Sequence, residues 1–223
     1  MTDSALRTTE QSTPRIAIIG GGLTGLFTAT LLERTFTADN RNSVVPNIVI
    51  FEKSSSVGRL ATRYRTDSEM QKNWQWAFGA QFFTAKSDDF QQFIQPWLTT
   101  GLLQPWCANV VNLTATNDAA QNITIQDKEQ WTTSQARYIS TPKMTSWGRV
   151  LADELKHTTL NFKTRVAPLL TEHFTEQRHA NSKTELFDEN GNSLGSFDWV
   201  ICTAPNGQAV DMMANSGFSE QAK

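Results

Sequence analysis

Ile16, Ala17, Ile18 and Ile19 form an unbroken apolar run closed by three consecutive glycines, Gly20 to Gly22. Such a run fits a short strand buried on both faces of a parallel sheet. A helical pattern follows at once, with Leu26, Ala29, Leu31 and Leu32 as its apolar face. The polar stretch Thr37 to Asn47 then reads as a loop, and Ile48 to Phe51 as a second apolar strand that ends at Glu52. From Asp89, Phe90, Phe93, Ile94, Trp97 and Leu98 recur at helical spacing up to Gly101. Between Trp106 and Thr141, NVVNLTATND, NITIQ and ARYIS are β-prone pieces separated by polar turns, which predicts antiparallel sheet. Thr145 to Lys156 predicts a helix with Trp147, Val150, Leu151 and Leu155 on one side, and Leu160 to Val166 a strand. Asn190-Gly191 between two β-prone runs predicts a hairpin with a type I′ turn, and Trp199 to Thr203 a last strand that breaks at Ala204-Pro205. Residues 1–13 carry no periodicity and read as a mobile tail.

The expected fold class is α/β: a Rossmann-type domain with a parallel sheet and a β-hairpin, plus an α+β part with antiparallel sheet. The expected boundaries are 14–64 with 146–210 for the first and 65–145 for the second, with 211–223 after them. Composition narrows the partners. Twenty basic and 22 acidic residues give a formal net charge of -2 with no Lys/Arg run, which argues against nucleic acid and anionic lipid. No apolar stretch approaches the roughly 20 residues of a membrane span, and Met1 to Pro14 lacks a hydrophobic signal core, so the cytoplasm is the expected compartment. Cys107 and Cys202 form no Cys-x-x-Cys, and His157, His173 and His179 have no metal-site spacing, so reduced thiols and no metal are expected.

Gly20, Gly22 and Gly25 fit G-x-G-x-x-G, in which one glycine makes the turn, one admits a phosphate to the backbone and one lets helix and strand approach. The bare pattern also fits a purely structural turn. The strand before it, the helix after it and the acidic residue closing the second strand select dinucleotide binding. The anion would sit on the first amides of the helix, at Gly22, Leu23 and Thr24, where unpaired N–H groups and the helix dipole favour negative charge. Glu52 would accept hydrogen bonds from both ribose hydroxyls, with Lys53 beside it. Glu52 lies 27 positions beyond Gly25, a long spacing that a loop insertion explains at little cost.

FEKSSSVGRLATRY, then FGAQFFTA (Phe78 to Ala85), a helix ending in WLTTG and RYISTPKMTSWGRVLADEL together resemble the renalase-like FAD-dependent oxidoreductases, within the glutathione-reductase-like class. The resemblance runs from about Arg15 to Gln208. It implies FAD as cofactor, with Gly20, Gly22 and Gly25 at the pyrophosphate and Glu52 at the ribose. Arg59 would lie near the phosphates or flavin with Thr62 and Arg63 beside it, and Gly79, Ala80 and Gln81 would approach the isoalloxazine. Val166 would pair backbone with adenine, and Thr203-Ala204-Pro205 would close over the cofactor. Val57-Gly58-Arg59 has one glycine fewer than the family's Gly-Gly-Arg, and relatives continue past the Thr-Ala-Pro strand, so the resemblance implies a Rossmann-type FAD-binding domain, an incomplete α+β substrate domain at 65–145 and a truncated end at 211–223. The implied activity is oxidation of a dihydronicotinamide dinucleotide with O₂ as acceptor. The alternatives are a flavin-dependent amine oxidase and a truncated, inactive nucleotide-binding fragment.

The remaining candidates have simpler readings. Trp97, Trp147 and Trp199 are expected in the core, and packing is favoured over ligand contact for Trp74 and Trp76. Arg137 and Tyr138 fit a substrate contact or an exposed strand end equally well. The three histidines are expected in solvent, and no side chain is in an arrangement for nucleophilic or acid–base catalysis. The flavin is left to carry the chemistry.

Overall fold

The computed structural model describes residues 13–38, 44–56, 62–115, 123–170 and 183–216. By internal contacts the chain divides into two units, Met1–Gly58 with Leu151–Lys223, and Arg59–Val150.

The first unit is built on the sheet that the apolar runs predict. Strands β1 (Arg15–Ile19) and β2 (Asn47–Glu52) flank the helix α1 (Leu23–Ala38) in sequence. Later in the chain come β10 (Thr158–Phe162), β11 (Thr184–Phe187), β12 (Ser193–Phe197), β13 (Trp199–Cys202) and α4 (Asn206–Met213). The sheet order is β10-β2-β1-β13, every pair parallel. Alternate residues of the central strands serve two cores. Ala17, Ile19, Val49 and Phe51 pack with Val166, Leu169, Leu186 and Phe197. Ile16, Ile18, Ile48 and Ile50 point the other way and are equally buried. This two-sided burial explains the absence of polar alternation in both runs.

In α1 the buried residues are Gly25, Leu26, Ala29, Thr30 and Glu33. Leu31, expected on the apolar face, is 52% exposed. Its place is taken by Glu33, whose carboxylate accepts from the N–H groups of Lys156 (3.0 Å) and His157 (2.8 Å) and from the Thr158 hydroxyl (2.7 Å). A buried acid is tolerated because three donors replace its water. The contact ties the far end of α1 to the start of β10.

SLGSFDWVIC divides at Asp198. β12 pairs antiparallel with β11, whereas β13 joins the parallel sheet as its edge. On that edge Trp199 is 68% exposed, contrary to its expected place in the core. The β11–β12 hairpin forms, but not through a type I′ turn. Only Gly191 has positive φ (79°), and the Asp188 carboxylate accepts from the N–H groups of Asn190 and Asn192 and from the Asn192 amide. A type I′ turn needs both central residues at positive φ; here the carboxylate organises a longer loop instead. The expected strand Leu160 to Val166 ends at Phe162, and Val166 makes a separate bridge with Asp188.

The second unit is antiparallel. It contains β3 (Thr62–Asp67), β4 (Lys72–Ala77), β5 (Phe83–Thr84), α2 (Asp88–Thr99), β6 (Leu103–Pro105), β7 (Asn109–Ala115), β8 (Ile123–Gln130) and β9 (Arg137–Ser140), and then most of α3 (Met144–Glu154). Its sheets are β3-β4, β5-β9-β6 and β7-β8. Ser87 caps α2 by accepting from the Phe90 N–H. The interior is aromatic: Phe83 stacks on Trp147 at 4.8 Å, and Trp97 meets Trp147 edge-on at 5.7 Å. Both tryptophans are buried as expected. Tyr138 joins this cluster through Phe83 at 5.7 Å, and the Arg137 guanidinium lies 3.6 Å from the centre of the Trp131 ring. Neither residue is the exposed strand end that the sequence also allowed.

Candidate functional site

The order β10-β2-β1-β13 has the third, second, first and fourth strands of a doubly wound sheet side by side. Its direction of winding reverses between β1 and β13, and ligands of such folds enter the crevice beyond the carboxyl ends of the strands at that point. Gly20 leaves β1 there with φ 113°. The turn is held from both sides, by the Gly20 N–H on the Phe51 carbonyl at 2.9 Å and by Thr203, which closes β13. The Thr203 hydroxyl lies 3.1 Å from the Ile19 carbonyl and 2.9 Å from that of Gly20.

Each glycine here has a separate reason. A Cβ on Gly20 would come within 2.8 Å of the Thr203 hydroxyl, and one on Gly25 within 2.0 Å of the Gly20 carbonyl oxygen. The first position is needed for the turn and the last for helix–strand approach. A Cβ on Gly21 would meet the Glu52 Cβ at 2.8 Å. At Gly22 no described residue lies within 4 Å of such a Cβ, so none of them requires a glycine there. The Leu26 N–H bonds the Gly22 carbonyl at 3.0 Å, so α1 begins on this residue and its first amides have no acceptor within the helix. Thr24 is exposed in that first turn.

Glu52 is buried against the turn. Its Oε2 accepts from the Gly21 N–H at 2.7 Å, and its Oε1 from the Ser54 N–H at 2.8 Å and the Ser54 hydroxyl at 2.7 Å. A carboxylate has about four acceptor positions. Among the described residues one position therefore stays open on Oε2, room for one hydroxyl; a second requires exchange of an existing bond. Lys53 donates to the Gln208 side chain at 2.8 Å and so joins the end of β2 to α4.

Nine of the residues picked out from sequence lie in this unit: Gly20, Gly22, Leu23, Thr24, Gly25, Glu52, Lys53, Val166 and Ala204. Val166 has its side chain in the core, in one cluster with Ile19 and Phe51. Thr62, Gly79, Ala80 and Gln81 belong to the second unit, where Thr62 opens β3 and 79–81 form the connection from β4 to β5. Arg59 and Gly58 lie outside the described residues, as do His173 and His179. The sequence reading missed Gly21, Ser54 and Gln208. The run of three glycines was the available signal for the first, since the G-x-G-x-x-G pattern leaves its middle member unexplained. Among the described residues no group of three His, Cys, Asp or Glu side chains is placed to hold a metal ion, and no helix is long and apolar enough to cross a membrane. Cys107 and Cys202 are free and exposed.

The profile of a family described as an NAD(P)-binding Rossmann-like domain matches residues 18–97. Among solved structures, the chain is similar to one described as a candidate protoporphyrinogen oxidase from Exiguobacterium sp. 255-15. That match has 12% identity and a TM-score of 0.57, and covers 92% of this chain and 62% of the other. It is also similar to p-nitrophenol 4-monooxygenase from Pseudomonas putida DLL-E4, with 14% identity and a TM-score of 0.49 over 87% of this chain and 42% of that one. The first likeness shows the fold, and this chain spans about three-fifths of that relative's length.

Proposed function

We propose that the chain is the dinucleotide-binding part of an FAD-dependent oxidoreductase that oxidises a dihydronicotinamide dinucleotide. The observation that carries this reading is the contrast among the glycines: 20, 21 and 25 are each required by a neighbour, whereas no described residue lies within 4 Å of a Cβ at 22, at the start of α1. A turn that was merely structural would tolerate a side chain there.

The cradle fits the cofactor's diphosphate and sugar. The first amides of α1 at Gly22, Leu23 and Thr24 would receive the diphosphate without a basic side chain. The open position on Glu52 Oε2 would accept a ribose hydroxyl, and Ser54 keeps the carboxylate in orientation. Thr203 fixes the turn, with Ala204 following it, and the Lys53–Gln208 contact holds the edge of the crevice. The roles of Arg59, Thr62, Gly79, Ala80, Gln81 and Val166 rest on the family resemblance. When bound, FAD supplies a hydride acceptor at N5 and a route for two electrons to O₂, giving hydrogen peroxide.

Anaerobic stopped-flow mixing of the flavin-loaded protein with a dihydronicotinamide dinucleotide tests the substrate. The flavin band should bleach in a single turnover and return on admission of O₂. Bleaching by a small amine alone, or by neither reagent, overturns the proposal.

A further inference from the structure

The β3–β4 hairpin carries a face whose chemistry no part of the fold requires. Arg63 pairs with Trp76, Arg65 with Trp74 and Asp67 with Lys72, so alternation places these six side chains together on one face. The two indoles lie parallel, 6.1 Å between centres and 10° between planes, and remain 36% and 47% exposed. The Lys72 ammonium covers Trp74 at 4.3 Å, and the Arg63 guanidinium lies 4.2 Å from the centre of the exposed Phe78 ring. The single acid of the face is committed elsewhere: Asp67 accepts from the N–H groups of Glu69 and Met70 in its own turn, both at 3.0 Å. Among the described residues no carboxylate lies within ion-pair distance of Arg63, Arg65 or Lys72.

Cross-strand aromatic and cation–π contacts would stabilise any hairpin. They do not account for three cations against one carboxylate beside open indole rings, since like charges side by side repel and exposed rings gain nothing from water. Guanidinium groups are forked donors for phosphate oxygens, and an indole offers a stacking surface to a base. We propose that this face binds an adenosine phosphate, the phosphates on Arg63 and Arg65 and the base against the Trp74–Trp76 pair. The adenosine phosphate would belong to the dihydronicotinamide substrate, an identification that rests on the function proposed above. An acidic peptide would leave the rings unused. A nucleic acid strand would need a longer basic track than one hairpin in a chain of net charge -2.

The test is a titration of tryptophan emission with ADP on the Gly22→Val variant. That variant is chosen to keep ADP off the glycine turn, and its new Cβ meets no described residue within 4 Å. Saturable quenching is expected, weakened at least tenfold by R63Q/R65Q and at least tenfold for adenosine without phosphates. It should also weaken several-fold as salt rises from about 0.05 to 0.5 M, a measurement that needs no hairpin variant. No saturation by ADP, quenching indifferent to salt, or equal affinity in folded R63Q/R65Q overturns the proposal. No flavin enters this titration, so its failure stays distinct from failure of the FAD site, which appears as a parent protein that takes up no FAD.

Discussion

The two units solve the burial problem in opposite ways. The first buries short aliphatic runs on both faces of a parallel sheet, and Gly20, Gly21 and Gly25 are there because backbone and side chains approach within a methyl group's reach. Among the described residues the second has no strand buried on both faces; its cohesion comes from rings, with Phe83, Trp97 and Trp147 at the centre and exposed hairpins around them. A scaffold of the first kind holds backbone amides in place with little tolerance, which is what recognition of a diphosphate by a helix start demands. A scaffold of the second kind presents large side chains, suited to varied ligands.

The contrast can be broken by mutation. Trp147→Ala should cost the second unit about 3–5 kcal/mol, because a fully buried ring leaves a cavity. Trp199→Ala, on the exposed edge of β13, should cost under about 1 kcal/mol in the same chemical denaturation experiment. If both cost the same, rings do not hold the second unit together. Gly25→Ala should destabilise the first unit by roughly 3 kcal/mol for the addition of one carbon, since the atom it meets is backbone. A neutral result would show that α1 is free to shift on the sheet. Glu52→Ala should weaken FAD binding by about 1.5–3 kcal/mol in an absorbance titration, and unchanged affinity would place the ribose elsewhere.

The smallest effect concerns acid stability. The Asp198 carboxyl is held below its usual range, first by the Arg15 N–H at 2.8 Å and then by Lys183 at 3.3 Å. Its lowered value in the fold means that it stabilises above the ordinary carboxylate range near pH 3.9 and that this contribution fades as pH falls through the folded value. Asp198→Asn should cost under about 1 kcal/mol at neutral pH. The difference from the parent should shrink in strong acid, and a gap that persists at low pH would exclude ionisation as its source.

What could be read from sequence follows the same division. The apolar runs of β1 and β2 and the glycine spacing were legible because burial on both faces and close approach leave few residue choices. Glu33 was not, because its partners are 123 to 125 positions away. Thr203 was seen only as the end of a strand. Its hold on the turn spans 183 positions and depends on β13 lying beside β1. In the second unit TRYRTD carries no apolar alternation and KNWQWA only the pair Trp74 and Trp76, so neither strand of the β3–β4 hairpin stood out. Asn190-Gly191 marked a hairpin correctly but not its turn, because the Asp188 carboxylate outcompetes the two-residue geometry. Trp199 misled because hydrophobicity alone does not distinguish an edge strand from a central one.

The central claim is that Gly22 lacks a side chain for the sake of a diphosphate. Gly22→Val tests it most directly: the variant and its parent are titrated with FAD while folding is followed by circular dichroism. The account predicts a parent that binds flavin and a variant that is folded, equally stable and colourless. A folded variant that stays yellow, or a parent that takes up no FAD at saturation, would contradict it.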